Sequence, residues 1–415
     1  MAADSTYGAP TSIYGPVEDW AGDLDHADPN YNPRAPEIWA ELREQGCPVA
    51  HSDRYGGMWA PITHELVREV AYDTDHFTSR AVVVSTALRE DLAEAPVGGA
   101  PPITSDPPFH QLARRLLLPP FAPKQIEPWE PEIRTLCRQR LDDMGEITPG
   151  DTVVDAAVQY AQHIPVNVIS RMLGLPLEDD DLMRGFVHDV LEGVNQAPEE
   201  RQASFDRLDA YLDVQIAAHE GDDREDLISY LMDVELLGEK LSPEHVRGSV
   251  VLLMLAGIDT TWSAIGSALW HLAANADDRR RLVAEPELMP TAIEELLRAY
   301  APVTMARLVA KDVDFHGCPM KADEWVLLPF PAANRDPEAF EQSDDVLIDR
   351  LENRHAAFGL GIHRCLGSNL ARLELRVAVE EFLARFPEFE LADAERVRWS
   401  VGQIRGPREL PVRIL

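Results

Sequence analysis

The segment from Leu241 to Asp277, LSPEHVRGSVVLLMLAGIDTTWSAIGSALWHLAANAD, constrains the fold more than any other part of the chain. Ser242 suits an N-cap and Pro243 the first helical position. A helix of about thirty residues is predicted from there, roughly 45 Å long at 1.5 Å per residue and able to cross a large domain. Its middle is apolar all round, the pattern of a helix buried in a core. The longest apolar run, SVVLLMLAGI, is about half of the roughly 20 residues a membrane span needs. Into this apolar stretch fall Gly257, Asp259, Thr260 and Thr261. A buried carboxyl is costly unless it is hydrogen-bonded. Either the threonines bond back to a carbonyl and bend the helix, or the polar break does chemistry.

The rest of the chain supports a large helical core. It has 415 residues, 45% of them hydrophobic and 27% charged. Residues 1–35, rich in Pro, Gly, Asp and Tyr, read as an extended N-terminal arm ahead of a single folded body, residues 36–415. A short helix is predicted over Pro36–Glu44, a hairpin over HSDRYGGMWAPI, and a helix near Thr63–Tyr72. Phe77–Ser105 is irregular, and a loop that long in a compact chain is usually functional. Helices dominate from Phe109 to Ala273; strands come late, around VDFHGCPM, EWVLLPF and the C-terminal edge. The predicted class is mainly α with small β-sheets.

The formal net charge of −34 argues against nucleic acid, whose phosphates need a basic face. The N-terminus, MAADSTYGAP, lacks a basic region followed by an apolar one, so a cytoplasmic protein that uses no membrane is expected. The four cysteines, Cys47, Cys137, Cys318 and Cys365, form no CxxC pair, which excludes a disulfide framework or a zinc knuckle.

Cys365 stands apart by its context. The run FGLGIHRCLG, Phe358 to Gly367, puts three glycines around the cysteine, and the helical run SNLARLELRVAVEEFLARF follows. Glycines let backbone approach a flat ligand closely. A cysteine at a helix N-terminus meets the positive end of the dipole, which favours the thiolate.

With Phe358, Gly359, His363, Cys365 and Gly367 at these spacings, the segment resembles the haem-binding loop of the cytochrome P-450 family. The resemblance implies that fold, a single triangular-prism-like domain, with haem b (iron protoporphyrin IX) as cofactor. It implies that Cys365 is the metal ligand and that His363 contacts a propionate. A thiolate pushes electron density onto iron and favours O–O cleavage; this family is itself the standard example of that effect. AGIDTT is similar to the family's acid–alcohol pair: Asp259 and Thr260 would deliver protons, with Ala256 and Gly257 lining the oxygen groove. SDPPFHQLARRLL is similar to a propionate-binding segment, implicating His110 and Arg114; Phe109 departs from the Glu often found there. Arg307 matches another propionate-binding arginine. Glu295 and Arg298 resemble the structural ExxR pair, with Arg354 as candidate third member. In all, the resemblance runs from about residue 35 to the C-terminus.

The substrate pocket is expected to draw on the Phe77–Ile103 loop, including Val83, and on Phe186–Val194. It should also use Leu252, Leu255, Val303, Thr304, Met305, Gln403 and Ile404. Most are apolar, implying a small to medium hydrophobic substrate. Arg80 reads as an ordinary salt bridge rather than a carboxylate receptor. Five arginines between 350 and 376 face two glutamates, a local inversion of charge in an acidic chain. They could dock an acidic iron–sulfur protein on the cysteine side or serve the fold. The chain carries no flavin or iron–sulfur module, so electrons are expected from a ferredoxin with its NAD(P)H-dependent reductase. The expected protein is a monomeric monooxygenase that consumes O2. A peroxide-driven enzyme on the same scaffold is the first alternative; such relatives commonly lack the acid–alcohol pair. A haem carrier or sensor is the second, and it would need no relay.

Overall fold

The computed structural model describes residues 13–46, 48–84, 99–193, 197–221 and 224–415. The segment read as an arm is joined to the body. Leu24, His26 and Ala27 are buried, and Arg54 binds Asp23 and Asp25 as well as the carbonyls of Gly15 and Pro16. The first helix, expected from Pro36, starts earlier: α1 is Tyr31–Glu44. Pro36 inside it has no N–H for the Asn32 carbonyl. Arg405 Nε donates to that carbonyl instead, at 2.8 Å. The Asn32 amide donates to Ser400 O and Ile404 O at 2.8 and 3.0 Å, fastening α1 to the C-terminal loop.

The predicted hairpin forms as β1 (Val49–Ser52) and β2 (Met58–Pro61), with Val49 opposite Pro61. These strands share a sheet with β3 (Phe77–Thr78), β4 (Thr304–Val309) and β5 (Trp325–Pro329), in the order β1–β2–β5–β4–β3. Only the β2–β5 pairing is parallel. A second sheet sets Pro411–Ile414 between Phe389–Leu391 and Val153–Asp155. Val313–Phe315 and Cys318–Met320 make a separate hairpin.

Helices make up most of the rest. Those that build the site are α2 (Phe109–Leu117), α3 (His163–Leu173), α4 (Asp180–Leu191), α5 (Pro198–Ala218), α6 (Pro243–Ala274), α7 (Met289–Ala299) and α8 (Ser368–Arg385). The central helix α6 has 32 residues, about 48 Å by its rise. Ser242 caps it, its hydroxyl accepting from His245 N at 3.2 Å. By length and composition α6 could cross a membrane, although its longest uninterrupted apolar run is short. In the fold, 67% of its most apolar stretch is buried against the protein interior. It packs on α3 and α8, and its apolar faces fill the main core with residues such as Met254, Ile258 and Ile265. A second core, around Trp39, Met58 and Trp325, lies against the five-stranded sheet.

Candidate active site

The cysteine loop is held by its own backbone and by two glutamates. Cys365 N donates to Phe358 O at 2.7 Å, closing the loop ahead of α8. Gly361 has φ +69°, and a Cβ there would collide with the Ala71 carbonyl, so this position requires glycine. Arg372 on α8 lies 4.2 Å from the Phe358 ring centroid and holds Glu294 at 2.6 and 2.9 Å. Glu294 also accepts from His355 Nε2 at 3.1 Å.

The neighbouring Glu295 is fully buried with Arg298. Arg298 donates twice to Glu295, at 2.9 Å each, and to the carbonyls of Asn334, Ser343 and Asp345. The third member is Arg350, whose Nε donates to Glu295 Oε2 at 2.9 Å; Asn353 donates to the same oxygen at 3.0 Å. This corrects the choice of Arg354, which is exposed and lines a separate surface groove with His64 and Glu338. Only the turn geometry after Leu347 decides which of the two arginines faces inward.

A cavity of about 1460 Å³, its open mouth included, lies between α6 and the cysteine loop. Cys365 and Gly367 line it from one side, and Ala256, Gly257 and Thr260 of α6 line it too. Phe358, Gly359, His363, Arg114 and Arg307 complete that part of the wall. Gly257 also admits α3: a Cβ there would sit 3.2 Å from Ile169 Cγ1. Burial raises the Cys365 thiol, while the Gly367 N–H and then Arg114, Arg372 and Arg364 pull the other way.

The positive groups form a cluster that lacks an anion. Among the described residues, no salt bridge involves Arg114 or Arg307, and Asp106, the acid that acts on Arg307, is bound by Thr78 and Ser79. Burial lowers Arg307 to about 10. His110 is buried with both ring nitrogens unpartnered, and its ring stacks edge-on against His363 at 4.4 Å. Burial, then Arg114, holds His110 down to about 4. Burial, Arg307, His110 and Arg114 together hold His363 down to about 2, and Ser79 Oγ sits 2.9 Å from its Nε2. Buried polar atoms without partners are rare in native proteins. Two arginines and two histidines around the rim therefore fit a dianion, and the sulfur facing the cavity fits a soft metal. Haem satisfies both demands, so the residues present fit that group. Phe109, the departure in this segment, packs its ring 5.7 Å from His245 of α6.

On the other wall, Thr260 Oγ1 donates to Ala256 O at 2.7 Å, the back-bond that alone could explain a threonine here. Asp259 is buried, accepting from Arg408 Nη2 at 2.6 Å and Ser263 Oγ at 3.3 Å, while its Oδ2 has no partner. Burial raises its pKa against the pull of Arg408.

The substrate expectations are met in part. Leu252, Val303 and Met305 line the cavity, and so does Ile103. Among the described residues Val83, Leu255, Thr304, Gln403 and Ile404 do not. Gln403 is instead a clamp: its amide donates to Val82 O and Thr304 O at 3.0 and 2.7 Å and accepts from Val84 N. Ile404 pairs with Val303 in an isolated bridge, Thr304 is turned into the sheet, and Leu255 packs on the main core. Phe186 is buried against Tyr211. Arg80 does form a salt bridge, to Asp323 at 3.2 Å. Residues 85–98 of the irregular loop, Val194, and Cys47 lie outside the described residues. Of the basic run, Arg350, Arg372 and Arg376 are taken by glutamates, leaving Arg354 and Arg364 exposed. Sequence reasoning missed Glu294, Glu192, Arg408 and Glu374. The last lines the cavity with Oε2 unpartnered, and burial pushes it up to about 8.

Comparison with known proteins agrees with this geometry. A family model described as Cytochrome P450 matches residues 163–398. The chain is 33% identical over 370 residues to the probable cytochrome P450 127A1 of Sinorhizobium fredii (strain NBRC 101917 / NGR234), covering 88% of this chain and 86% of that protein. It is 32% identical over 387 residues to the steroid C26-monooxygenase of Mycobacterium tuberculosis (strain ATCC 25618 / H37Rv), covering 91% and 93%. The crystal structure of CYP109E1 from Bacillus megaterium in complex with testosterone superposes with a TM-score of 0.82 at 30% identity, covering 92% of this chain and 98% of that one. Family, cofactor and reaction class follow together: the chain belongs to the cytochrome P450 family, takes haem as its cofactor, and is a monooxygenase.

Proposed function

We propose that this monooxygenase hydroxylates or oxidatively dealkylates a small to medium hydrophobic substrate, with electrons from a separate ferredoxin and its NAD(P)H-dependent reductase. The observation that carries the reading is that Cys365, Thr260 and an anion-free cationic cluster all face one apolar cavity. Bound haem would supply the redox centre at which oxygen is activated.

The chain's own residues do the rest. Cys365 would hold the iron, with the Gly367 N–H hydrogen-bonding its sulfur. Arg114, Arg307, His110 and His363 would bind the propionates. Ala256 and Gly257 keep their part of the cavity wall open, because neither carries more than a methyl group. Thr260 turns its hydroxyl from the Ala256 carbonyl to the cavity, where it passes on a proton from Asp259. Leu252, Leu253, Val303, Met305 and Ile103 exclude water and bind substrate by burying its surface, at about 25 cal/mol per Å² of apolar area. The ionisable lining groups are Arg114, Arg307, His363, Cys365 and Glu374. All belong to the cationic cluster, the cysteine loop or its helix, which leaves an uncharged substrate as the best fit.

Relatives are named for steroid C26 oxidation and for mycinamicin IV hydroxylation or epoxidation. These names single out no one compound for this chain. Exposed Arg354, Arg364 and Arg115 would meet the acidic electron donor.

Thr260→Ala tests the relay. Coupling, measured as product formed per NAD(P)H, should fall by about a hundredfold, the lower end of what a positioned proton donor typically contributes. NAD(P)H consumption should continue and release peroxide. Unchanged coupling would remove Thr260 from the mechanism. Turnover with peroxide alone should be weaker than with ferredoxin and reductase; the opposite order would favour a peroxide-driven enzyme.

A further inference from the structure

Asp259, buried next to the cavity-lining Thr260, does not stand alone. Arg408, delivered by the strand Pro407–Glu409, donates to Asp259 Oδ1 through Nη2 at 2.6 Å and to Glu192 Oε1 through Nε, also at 2.6 Å. Its Nη1 donates to Ser263 Oγ at 3.0 Å, and its guanidinium lies 4.3 Å from the Trp262 ring centroid. Glu192 follows α4 and has His188 one turn back, with Nδ1 3.8 Å from Oε1. Asp259 and Glu192 are buried, Arg408 nearly so, and His188 is about one-third exposed.

Charge counting gives these four groups a meaning beyond structure. Two carboxylates share one arginine, so with His188 neutral the set carries one buried negative charge. Leaving such a charge uncompensated is expensive. A single proton restores balance, and it has two seats: the buried, unpartnered Oδ2 of Asp259 or the partly exposed His188 ring.

We propose that His188, Glu192 and Arg408 are positioning residues for the proton on Asp259, and that His188 charges to compensate when Asp259 gives its proton up. When the proton leaves Oδ2 for the cavity, the new carboxylate takes the full share of Arg408. Glu192, left with less of the arginine, draws a proton from solvent onto His188. That proton returns to solvent once water reprotonates Asp259. No proton crosses Arg408, which stays charged throughout; the coupling is electrostatic.

The shifts agree in sign. Burial would raise Glu192, but Arg408 and His188 outweigh it and hold it low. Burial would lower His188, but Glu192 and Asp189 outweigh it and raise it. Among the described residues, the charged groups acting on His188 are Glu192 and Asp189 of its own segment and Arg408 from the strand. Asp189 is itself held by Arg207 and Ser204 of α5. The sequence could not reveal the link, since Arg408 lies 149 residues from Asp259 and 216 from Glu192.

The inference rests on Asp259 as the proton source, and it is tested without turnover. Difference infrared spectra of the holoenzyme report the carbonyl stretch of a protonated buried carboxyl, assigned to Asp259 by its loss in Asp259→Asn. Titrated across pH, the Asp259 proton affinity should rise about threefold in His188→Gln, where no compensating charge can form, and fall about threefold in His188→Lys, where it is fixed; the size is that of a partly screened interaction at this separation. His188 is exposed enough for both variants to fold. Coincident midpoints in the three proteins, or no protonated Asp259 at any pH, would overturn the proposal. Shifted midpoints with unchanged coupling in Thr260→Ala would sink the relay and leave the charge set standing.

Discussion

Cys365→Ser is expected to abolish oxygen-dependent turnover while leaving the fold in place. The loop does not need the sulfur to close: Cys365 N bonds Phe358 O through the backbone, and the Gly361 turn is independent of it. What disappears is the thiolate that would hold the haem iron. Removing a mere supporting partner of a metal ligand costs roughly 10–100-fold in affinity or activity, so loss of the ligand should exceed that range. Haem content and product formation by the purified variant check this. Cys137→Ser is the control, because Cys137 is buried in the core and burial pushes its thiol up to about 12, leaving it inert. If the two variants behave alike, Cys365 has no special role.

Glu295→Gln is expected to give the largest loss of stability. The Glu295 carboxylate is the hub for Arg298, Arg350, Asn353 and Leu347 N, and its side chain is 0% exposed. Removing one charge from a buried pair costs about 3–5 kcal/mol, because the partner stays buried and uncompensated. Whole domains are stable by only about 5–15 kcal/mol. The yield of folded, haem-loaded protein should therefore collapse. Arg350→Ala should share that fate, since it strips the same hub. Arg354→Ala, at an exposed site, should stay within about 0.5 kcal/mol of the parent. The contrast separates the arginine that the geometry selects from the one that spacing suggested. Equal effects at 350 and 354 would contradict the assignment.

That arginine illustrates where the sequence could be read and where it could not. Features carried by local spacing were legible: the Ser242 cap, the hairpin at Val49–Pro61, and the loop from Phe358 to Gly367. Each depends on residues a few positions apart whose backbone geometry follows from their type. The long helix announced both its length and its burial. Features that depend on where distant segments meet were not legible. Arg350 and Arg354 differ by one turn of irregular chain, and nothing local says which faces Glu295. Gln403 was expected in the substrate pocket, yet it spends its amide on the backbones of Val82, Val84 and Thr304. The first helix began before its proline because a remote arginine, Arg405, replaced the missing donor. Asp259 was legible as a buried acid, but its partner Arg408 arrives from the far end of the chain.

The account stands on one bond, from the Cys365 sulfur to haem iron. The most direct measurement is the absorption spectrum of the reduced, carbon-monoxide-bound holoprotein. A Soret band at the long wavelength characteristic of thiolate ligation, lost in Cys365→Ser, is the predicted result. A band at the position given by histidine ligation, unchanged by that substitution, would contradict it.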